Sequence, residues 1–567
     1  MEDRRIFSLL NIILFCMPAL NARIHHPVTV DTVLFDPKKG VEILEASNFT
    51  EVVFNSKFNR VVVFYQATCG TCKKFAPVFQ KLSDYCKEWD QLVKFSSVAC
   101  SNIKNKPICQ RFGIVRVPTL LFFHKDFSGK EKPIDIQSGK DVMLGNIARS
   151  LANYYQRKQD SLSDWPNLLP LKNDEFRNEC KKHPKMFIII TNDQSEKRVG
   201  PLAVLNSVKM KNAHVRWMHD YDAQFLKFEN HPSLLQTNTD CTETTLLSSK
   251  QRNDFNKLIA DKVDYKTDNL FAPIDGKIIM EPSKKPVIGK PIIPNGLHEQ
   301  DLESSLYHTL WQEISRLKHL NASSLNIAKR YIKSLMYVPY RKQVLKFLGE
   351  IDSELSEYST ISTDHFTQIL EKNLHSKSYV PKRIVWAGCS GSKPEFRGYP
   401  CSLWMTFHAM TIGGLNKTDV AQIVRNIRDY VVNFFSCTKC AQNFEKETAD
   451  LDKSIGKTDK DAVLYLWRIH NHVNERLSKE KDSLVDPRHP KLQFPGKTLC
   501  KECRIDDNAD TFKEDVVFNF LQDFYGEVIS NRASINYGKA TNNKASFNTA
   551  WFTNILGVIV LLFLTNL

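Results

Sequence analysis

The sequence lacks a zinc-finger spacing, an RNP motif and a basic helix. Its positive surplus, 78 Lys and Arg against 63 Asp and Glu for a net charge of +15, is therefore no nucleic-acid footprint. The surplus is spread thinly and reads as a soluble basic surface, although one of this size also suits acidic partners or membrane surfaces. Long apolar runs are missing except at the two ends, which excludes a multi-span membrane protein. Apolar residues are not scarce: they make up 42% of the chain and charged residues 25%. That is ordinary globular composition, and it excludes a largely disordered chain. The 567 residues suggest about four domains.

Cysteine is the informative residue. There are 14. Three pairs are CxxC (Cys69/Cys72, Cys437/Cys440 and Cys500/Cys503) and two are looser (Cys100/Cys109 and Cys389/Cys401), leaving Cys16, Cys86, Cys180 and Cys241. Such pairing means disulfides, thiol redox chemistry or metal. The chain ends bear on which. Arg4 and Arg5, an apolar run from Ile6 to Leu20 and the small Ala22 read as a secretory signal, residues 1–22, whose removal takes Cys16 with it. Residues 550–567 read as a C-terminal membrane anchor with Trp551 at the interface; a GPI signal, with small residues near Asn543 to Ser546, fits the same stretch. Either reading puts the protein in the secretory pathway (ER or Golgi lumen) or at the cell surface, anchored by this segment or shed. Disulfides persist there, and the sequons at Asn48, Asn321 and Asn416 become glycosylation candidates.

Residues 30–155 alternate strand-like and helix-like stretches. Arg60 to Tyr65 is a buried-strand pattern, CGTC follows, and Phe75, Val78, Phe79 and Leu82 keep helical spacing. With strands at Val93 to Val98 and Thr119 to Phe123, this predicts an α/β unit on a parallel sheet. Residues 160–271 repeat the pattern weakly: Met186 to Ile190 is a strand without a CxxC after it, Pro232-Ser-Leu-Leu235 echoes Pro118-Thr-Leu-Leu121, and Cys180 and Cys241 are candidates for a structural bridge. A Pro-, Gly- and Lys-rich stretch, 272–296, reads as a linker. Beyond it the pattern is helical. Leu302 to Leu320 and Ser324 to Leu348, in a spacer spanning 297–378, carry no catalytic residue types and read as packing. Residues 379–505 hold the last six cysteines among helices, and 528–549 is a polar stalk.

Cys69-Gly-Thr-Cys72 lies where a strand meets a helix. Unpaired N–H groups and the positive dipole end there favour thiolate at Cys69, the attacking sulfur, while Cys72 inside the helix resolves the mixed disulfide. Cys100/Cys109 has no such junction and reads as structural. A second chemical face lies on the helix from Asp461 to Leu477: Trp467, His470, Asn471 and Asn474 fall at i, i+3, i+4 and i+7, opposite a core face of Val463, Leu466, Val473 and Leu477. It offers stacking surface and hydrogen-bond groups suited to a nucleotide cofactor, and Trp404 and His408, at i and i+4 of an earlier helix, are placed to close the same pocket. Packing alone is the competing reading of this face.

The strand–CGTC–helix order, with Val117-Pro118 further on, resembles thioredoxin and protein disulfide isomerase domains; the resemblance implies a cis proline beside the disulfide. Thr68 stands where that family usually has Trp, and Thr71 where it usually has His. Arg397-Gly-Tyr-Pro-Cys401-Ser-Leu-Trp404…His408, then Cys437-x-x-Cys440, then Trp467-Arg-Ile-His470-Asn471-His-Val-Asn474, then Cys500-x-x-Cys503, resembles the Erv-type sulfhydryl oxidase domain. The whole order resembles the quiescin sulfhydryl oxidase family. It implies a multidomain fold, two α/β thioredoxin-like domains (the second redox-silent) followed by an all-α helical spacer and an Erv-type FAD-binding helical bundle. It implies FAD held by Arg397, Trp404, His408, Asn443, Trp467, His470, Asn471, Val473, Asn474, Lys491 and Phe494, the last where the family often has Trp. Lys439 is a further flavin-contact position, usually acidic or polar. Cys437/Cys440 is then the flavin-proximal disulfide, Cys389/Cys401 is structural, and Cys500/Cys503 is an additional pair. No metal is implied, and Cys86 is left as the free thiol. The implied activity is FAD-dependent thiol oxidation: client proteins with free thiols are oxidised through Cys69/Cys72 and Cys437/Cys440, and electrons pass by FAD to O₂, giving H₂O₂. The rivals are a flavin-free disulfide isomerase or reductase and a non-catalytic disulfide-stabilised surface protein.

Overall fold

The structure, a computed structural model, describes residues 33–136, 143–158, 162, 165–183, 185–192, 199–226, 232–249, 255–273, 296–374, 384–480, 485–506 and 511–529. The expected signal (1–22), most of the linker and stalk, and the C-terminal anchor lie outside them. Residues 1–528 form one unit and 529–567 a second, of which only Ile529 is described. Among the described residues no helix is long and apolar enough to cross a membrane.

The first sheet has five strands: β1 (Val41–Leu44), β2 (Asn59–Tyr65), β3 (Val93–Ala99), β4 (Thr119–Phe123) and β5 (Ile134–Asp135), in the order β1-β3-β2-β4-β5. The β-branched and aromatic run of β2 is buried at every position because both faces are covered. β3 runs parallel to β2, but β4 runs antiparallel to β2 and β5 antiparallel to β4, so the sheet is mixed rather than parallel as its pattern predicts. The reason for the difference is physical. β4 is buried along nearly its whole length, and a strand covered on both faces carries the same apolar run in either direction. The helix α1 (Gly70–Tyr85) leaves β2 directly, with Cys69 as its N-cap.

A second sheet, β6 (Phe187–Thr191), β7 (Val215–His219), β8 (Ser233–Thr237) and β9 (Thr244–Ser249), has the order β7-β6-β8-β9. β6 is parallel to β7 and antiparallel to β8, so the segment after Pro232 takes the place that the segment after Pro118 takes in the first sheet. A buried helix, α2 (Val199–Asn206), follows β6 without a cysteine. The two sheet-containing domains share polar ties. The Trp89 indole donates to Asn206 at 2.9 Å, and Glu88 accepts from Tyr265, Thr267 and Asn269.

The rest is helical. The predicted Leu302–Leu320 helix is α3 (Glu299–Tyr307) continued by a π-helical turn, His308–Glu313, and a 3₁₀ turn, Ile314–Arg316. The predicted Ser324–Leu348 helix is two helices, α4 (Ala322–Leu335) and α5 (Lys342–Ser356). Pro339 lies between them, and a proline removes the amide that would continue the ladder. α6 (Thr363–Lys372) completes this part. Then come α7 (Tyr399–Gly414), α8 (Val420–Phe434), α9 (Thr438–Glu447) and α10 (Asp459–Lys479), the last opened by a capping box between Thr458 and Asp461. α7 passes so close to the Tyr337 carbonyl that a Cβ on Gly413 would sit 1.8 Å from it. A helix absent from the expected elements, α11 (Glu514–Gly526), packs against α7 and α10, so the bundle runs past residue 505.

Candidate active site: two cysteine pairs and a cofactor cleft

Cys69 and Cys72 are free and buried. The Cys72 amide donates to Cys69 Sγ at 3.3 Å. Burial pushes the Cys69 thiol up, but the Cys72 thiol, the Cys72 and Thr71 amides and the Lys73 charge outweigh it, so its pKa is lowered. Cys72 is driven the other way, by burial and by Cys69 itself. The pair is therefore unequal, with the sulfur at the helix N-terminus the better thiolate. Lys73, which sequence reasoning passed over, adds positive charge beside both sulfurs, at the helix position after Cys72.

The second pair lies against the first. Cys437–Cys440 is a disulfide spanning the start of α9, and Cys437 is fully buried. Val117, which precedes Pro118 across a cis peptide, bridges this segment as a short parallel β-pair. Its N–H donates to Ser436 O at 3.0 Å, and its carbonyl accepts from the Thr438 N–H at 3.4 Å. Thr71 Oγ1 lies 3.3 Å from Cys437 Sγ. Thr71, which replaces the usual His, thus meets the facing disulfide. Cys440 is one turn from Phe444, whose ring lies 6.0 Å from Trp404. Lys439 is exposed, and Asn443 is half-buried on the same helix.

Around Trp404 lies the cluster of aromatic and basic side chains expected to hold the cofactor. The Trp404 and His470 rings stack at 4.0 Å, and His408 Nε2 lies 3.0 Å from His470 Nδ1. Burial holds His408 down to about 3 and, with His408 and Lys491 nearby, holds His470 well below the usual imidazole value. Both rings are neutral at pH 7 and fit for stacking. Trp467, Asn471 and Asn474 are committed elsewhere. Trp467 Nε1 and Asn471 Nδ2 donate to Phe494 O at 2.6 and 2.9 Å, the Phe494 N–H donates to Asn471 Oδ1 at 2.8 Å, and Asn474 donates to Leu492 O at 3.1 Å. These three side chains hold the loop that carries Lys491 and Phe494. Val473 is half-buried, so the expected core face weakens at the end of α10.

Arg397 and Lys491 gather positive charge that Asp486, and Asp301 on the Arg397 side, offset only in part. Burial, then Arg397, lowers Lys491 to about 8. Arg397, at φ 59°, bonds to the Gly388 carbonyl and to Cys401 Sγ and contacts His489, but its Nε has no partner. No carboxylate among the described residues forms an ion pair with Lys491. Desolvated cations beside a stacked Trp–His pair fit a dinucleotide with a diphosphate and aromatic rings, so these residues suit FAD.

The remaining pairs are disulfides: Cys100–Cys109, Cys180–Cys241, Cys389–Cys401 and Cys500–Cys503. Cys86 is free and buried, its thiol pushed up by burial. Asn321 and Asn416 are exposed and Asn48 half-buried. In the second unit, donor atoms of Glu179, His183 and His214 lie within 4.8 Å of one another, but Arg216 already pairs with Glu179 at 2.6 Å.

Three family models match the chain: thioredoxin over residues 40–144, flavin adenine dinucleotide (FAD)-dependent sulfhydryl oxidase over 296–392, and the Erv1 / Alr family over 401–495. Sulfhydryl oxidase 1 of Gallus gallus is 27% identical over 525 residues, 88% of this chain and 68% of the relative. Sulfhydryl oxidase 2 of Homo sapiens is 26% identical over 508 residues, 86% of this chain and 72% of the relative. A solved sulfhydryl oxidase fragment of human QSOX1 is 32% identical, covering 41% of this chain and 98% of the fragment, with a TM-score of 0.39. The chain belongs to the sulfhydryl oxidases. It is an FAD-dependent thiol oxidase with thioredoxin-like and helical Erv-type domains. Residues 296–378, which the sequence marks only as a linker end and a packing spacer, fall inside the oxidase match together with 379–392. Lys73, Gln66 and Ser436 flank the CxxC pairs in sequence and pack beside them, whereas only the fold brings Arg116, Glu313 and His489 near.

Proposed function

We propose that electrons enter this sulfhydryl oxidase at Cys69/Cys72 and cross directly to Cys437/Cys440. A client thiolate attacks the Cys69–Cys72 disulfide and a second client thiol displaces it, leaving the client oxidised and Cys69/Cys72 reduced. The Cys69 thiolate then attacks Cys437: the Cys69–Cys437 bond forms, the Cys437–Cys440 bond breaks, and Cys440 leaves as thiolate. Cys72 attacks Cys69, restoring Cys69–Cys72 and leaving Cys437/Cys440 reduced. When bound, FAD supplies the two-electron chemistry that ends in reduction of O₂ to H₂O₂. Arg397 and Lys491 would hold the diphosphate, Trp404, His408, His470 and Phe494 would supply stacking surface, Asn443 and Val473 would contact the cofactor from α9 and α10, and Trp467, Asn471 and Asn474 fix the loop that carries Lys491 and Phe494.

One observation carries this reading. The Val117 main chain grips Ser436 and Thr438 on either side of Cys437 while Thr71 touches Cys437 Sγ. That arrangement puts the reduced pair against the oxidised one. Cys69→Ser is expected to abolish oxidation of a reduced client protein while flavin absorbance is kept, and Cys86→Ser to change neither. Client oxidation surviving in Cys69→Ser would remove the relay.

The disulfides of the body support a lumenal or extracellular site. We place the chain there, glycosylated at exposed Asn416 or Asn321 and held to the membrane by residues 550–567. Resistance of the membrane-bound protein to alkaline extraction checks the anchor, and release by a phosphatidylinositol phospholipase identifies the GPI form.

A further inference from the structure

Side-chain and main-chain contacts from three parts of the chain converge on the five residues before Cys437. Arg116, from the thioredoxin-like unit, donates to the carbonyls of Val432 and Phe435. Arg316, from the spacer, donates to the carbonyl of Phe434. These carbonyls end α8, where a helix has unpaired acceptors and the negative end of its dipole, so two arginines from two other parts of the chain complete it. Between the arginines lies Glu313, the last residue of the π-helical turn, with no exposed surface. Its Oε2 accepts from the Ser436 N–H at 2.8 Å, and its Oε1 accepts from Ser436 Oγ at 3.0 Å. His308 Nε2 is 3.2 Å from the same carboxylate, and Arg316 3.9 Å. Burial pushes the carboxyl up, but His308 and Arg316 outweigh it, so Glu313 stays ionised.

Ser436 also touches the Gln66 carboxamide, in the turn between β2 and Cys69. A hydroxyl has one proton to give, and the carboxylate is the stronger acceptor. Gln66 then meets Ser436 Oγ with its amide N–H₂, a group that otherwise has no partner; the two ends of a carboxamide are assigned from such networks. The chain Gln66–Ser436–Glu313 therefore joins the donor unit, the acceptor segment and the spacer.

Resting on the relay above, we propose that Glu313 is a positioning residue for thiol transfer, holding Ser436 so that Cys437 meets the Val117–Pro118 loop in the register Cys69 attacks. Glu313→Gln replaces one acceptor by a donor facing Ser436, and Ser436→Ala removes the hydroxyl while leaving the buried charges intact. The test is anaerobic single-turnover reduction of the flavin in the full-length, FAD-loaded protein, driven by a reduced client protein. Both variants are expected to slow it about tenfold or more, as for loss of a bond to a buried charged group. In a Cys69→Ser/Cys72→Ser background, excess small dithiol reduces Cys437–Cys440 without the first pair, and that rate should change far less. Equal loss by both routes in Ser436→Ala would make the network merely structural. An unchanged client-driven rate in both variants would overturn the proposal outright. If Cys69→Ser alone leaves the client-driven rate intact, the relay fails and Glu313 has no transfer to position.

Discussion

Cys69 and Cys72 differ by one helical turn and behave oppositely. Cys69 collects amide hydrogen bonds and the Lys73 charge, whereas Cys72 is buried behind a sulfur that becomes anionic. This much is local, set by a CxxC at a strand–helix junction, and so it is legible in the sequence. The Glu313–Ser436–Gln66 network is not, because its bonds join residues 123 and 370 positions apart and none belongs to a motif. Lys491 lies between these cases: resemblance points to it, but its environment is visible only in the fold. Its pKa of about 8 without cofactor gives a signed prediction. A bound diphosphate raises that value, so FAD binding takes up a proton above about pH 8, and affinity falls as pH rises through that region. Titrating cofactor-free protein with FAD across pH checks this. Lys491→Met should weaken binding about tenfold or more and flatten the dependence.

At the scale of elements, helix periodicity located α8 and α10 to within about two residues, because each buries one apolar face. It did not show what the other face of α10 touches. Trp467, Asn471 and Asn474 carry the groups a cofactor would use, and the fold spends them on the loop at 491–494. The direction of β4 was hidden for a related reason: burial on both faces removes the pattern that would distinguish its pairing. The loop nevertheless makes a testable element. Asn471 both donates to and accepts from Phe494, so Asn471→Ala leaves a main-chain N–H and a carbonyl with fewer partners, at about 1–3 kcal/mol. The expected outcome is faster loss of FAD on dilution, read as released flavin fluorescence, with Cys437–Cys440 still formed.

At the scale of the whole molecule, the arrangement that joins the two cysteine pairs also closes the first. Cys69 is 2% exposed and Cys437 0%, so a client protein cannot reach Cys69 while Val117 is paired with Ser436. We therefore expect turnover on clients to involve separation and return of the two parts of the chain. Residues 272–296, where the sequence is rich in proline and glycine, connect them. The contact between Lys74 and Glu480 spans the same junction and offers a way to hold it shut, since a carbodiimide converts such an ion pair into an amide. Protein reduced at Cys69/Cys72 before treatment should still pass one electron pair to the flavin, seen as bleaching in a single anaerobic turnover. The same protein should then fail to oxidise a reduced client repeatedly, with O₂ consumption stopping after that turnover. Glu480→Gln, which cannot form the amide, treated identically, should keep turning over. Sustained client oxidation by protein shown by mass spectrometry to carry the Lys74–Glu480 link would mean that clients reach Cys69 without separation. The burial of that sulfur would then have to be relieved by a smaller local movement.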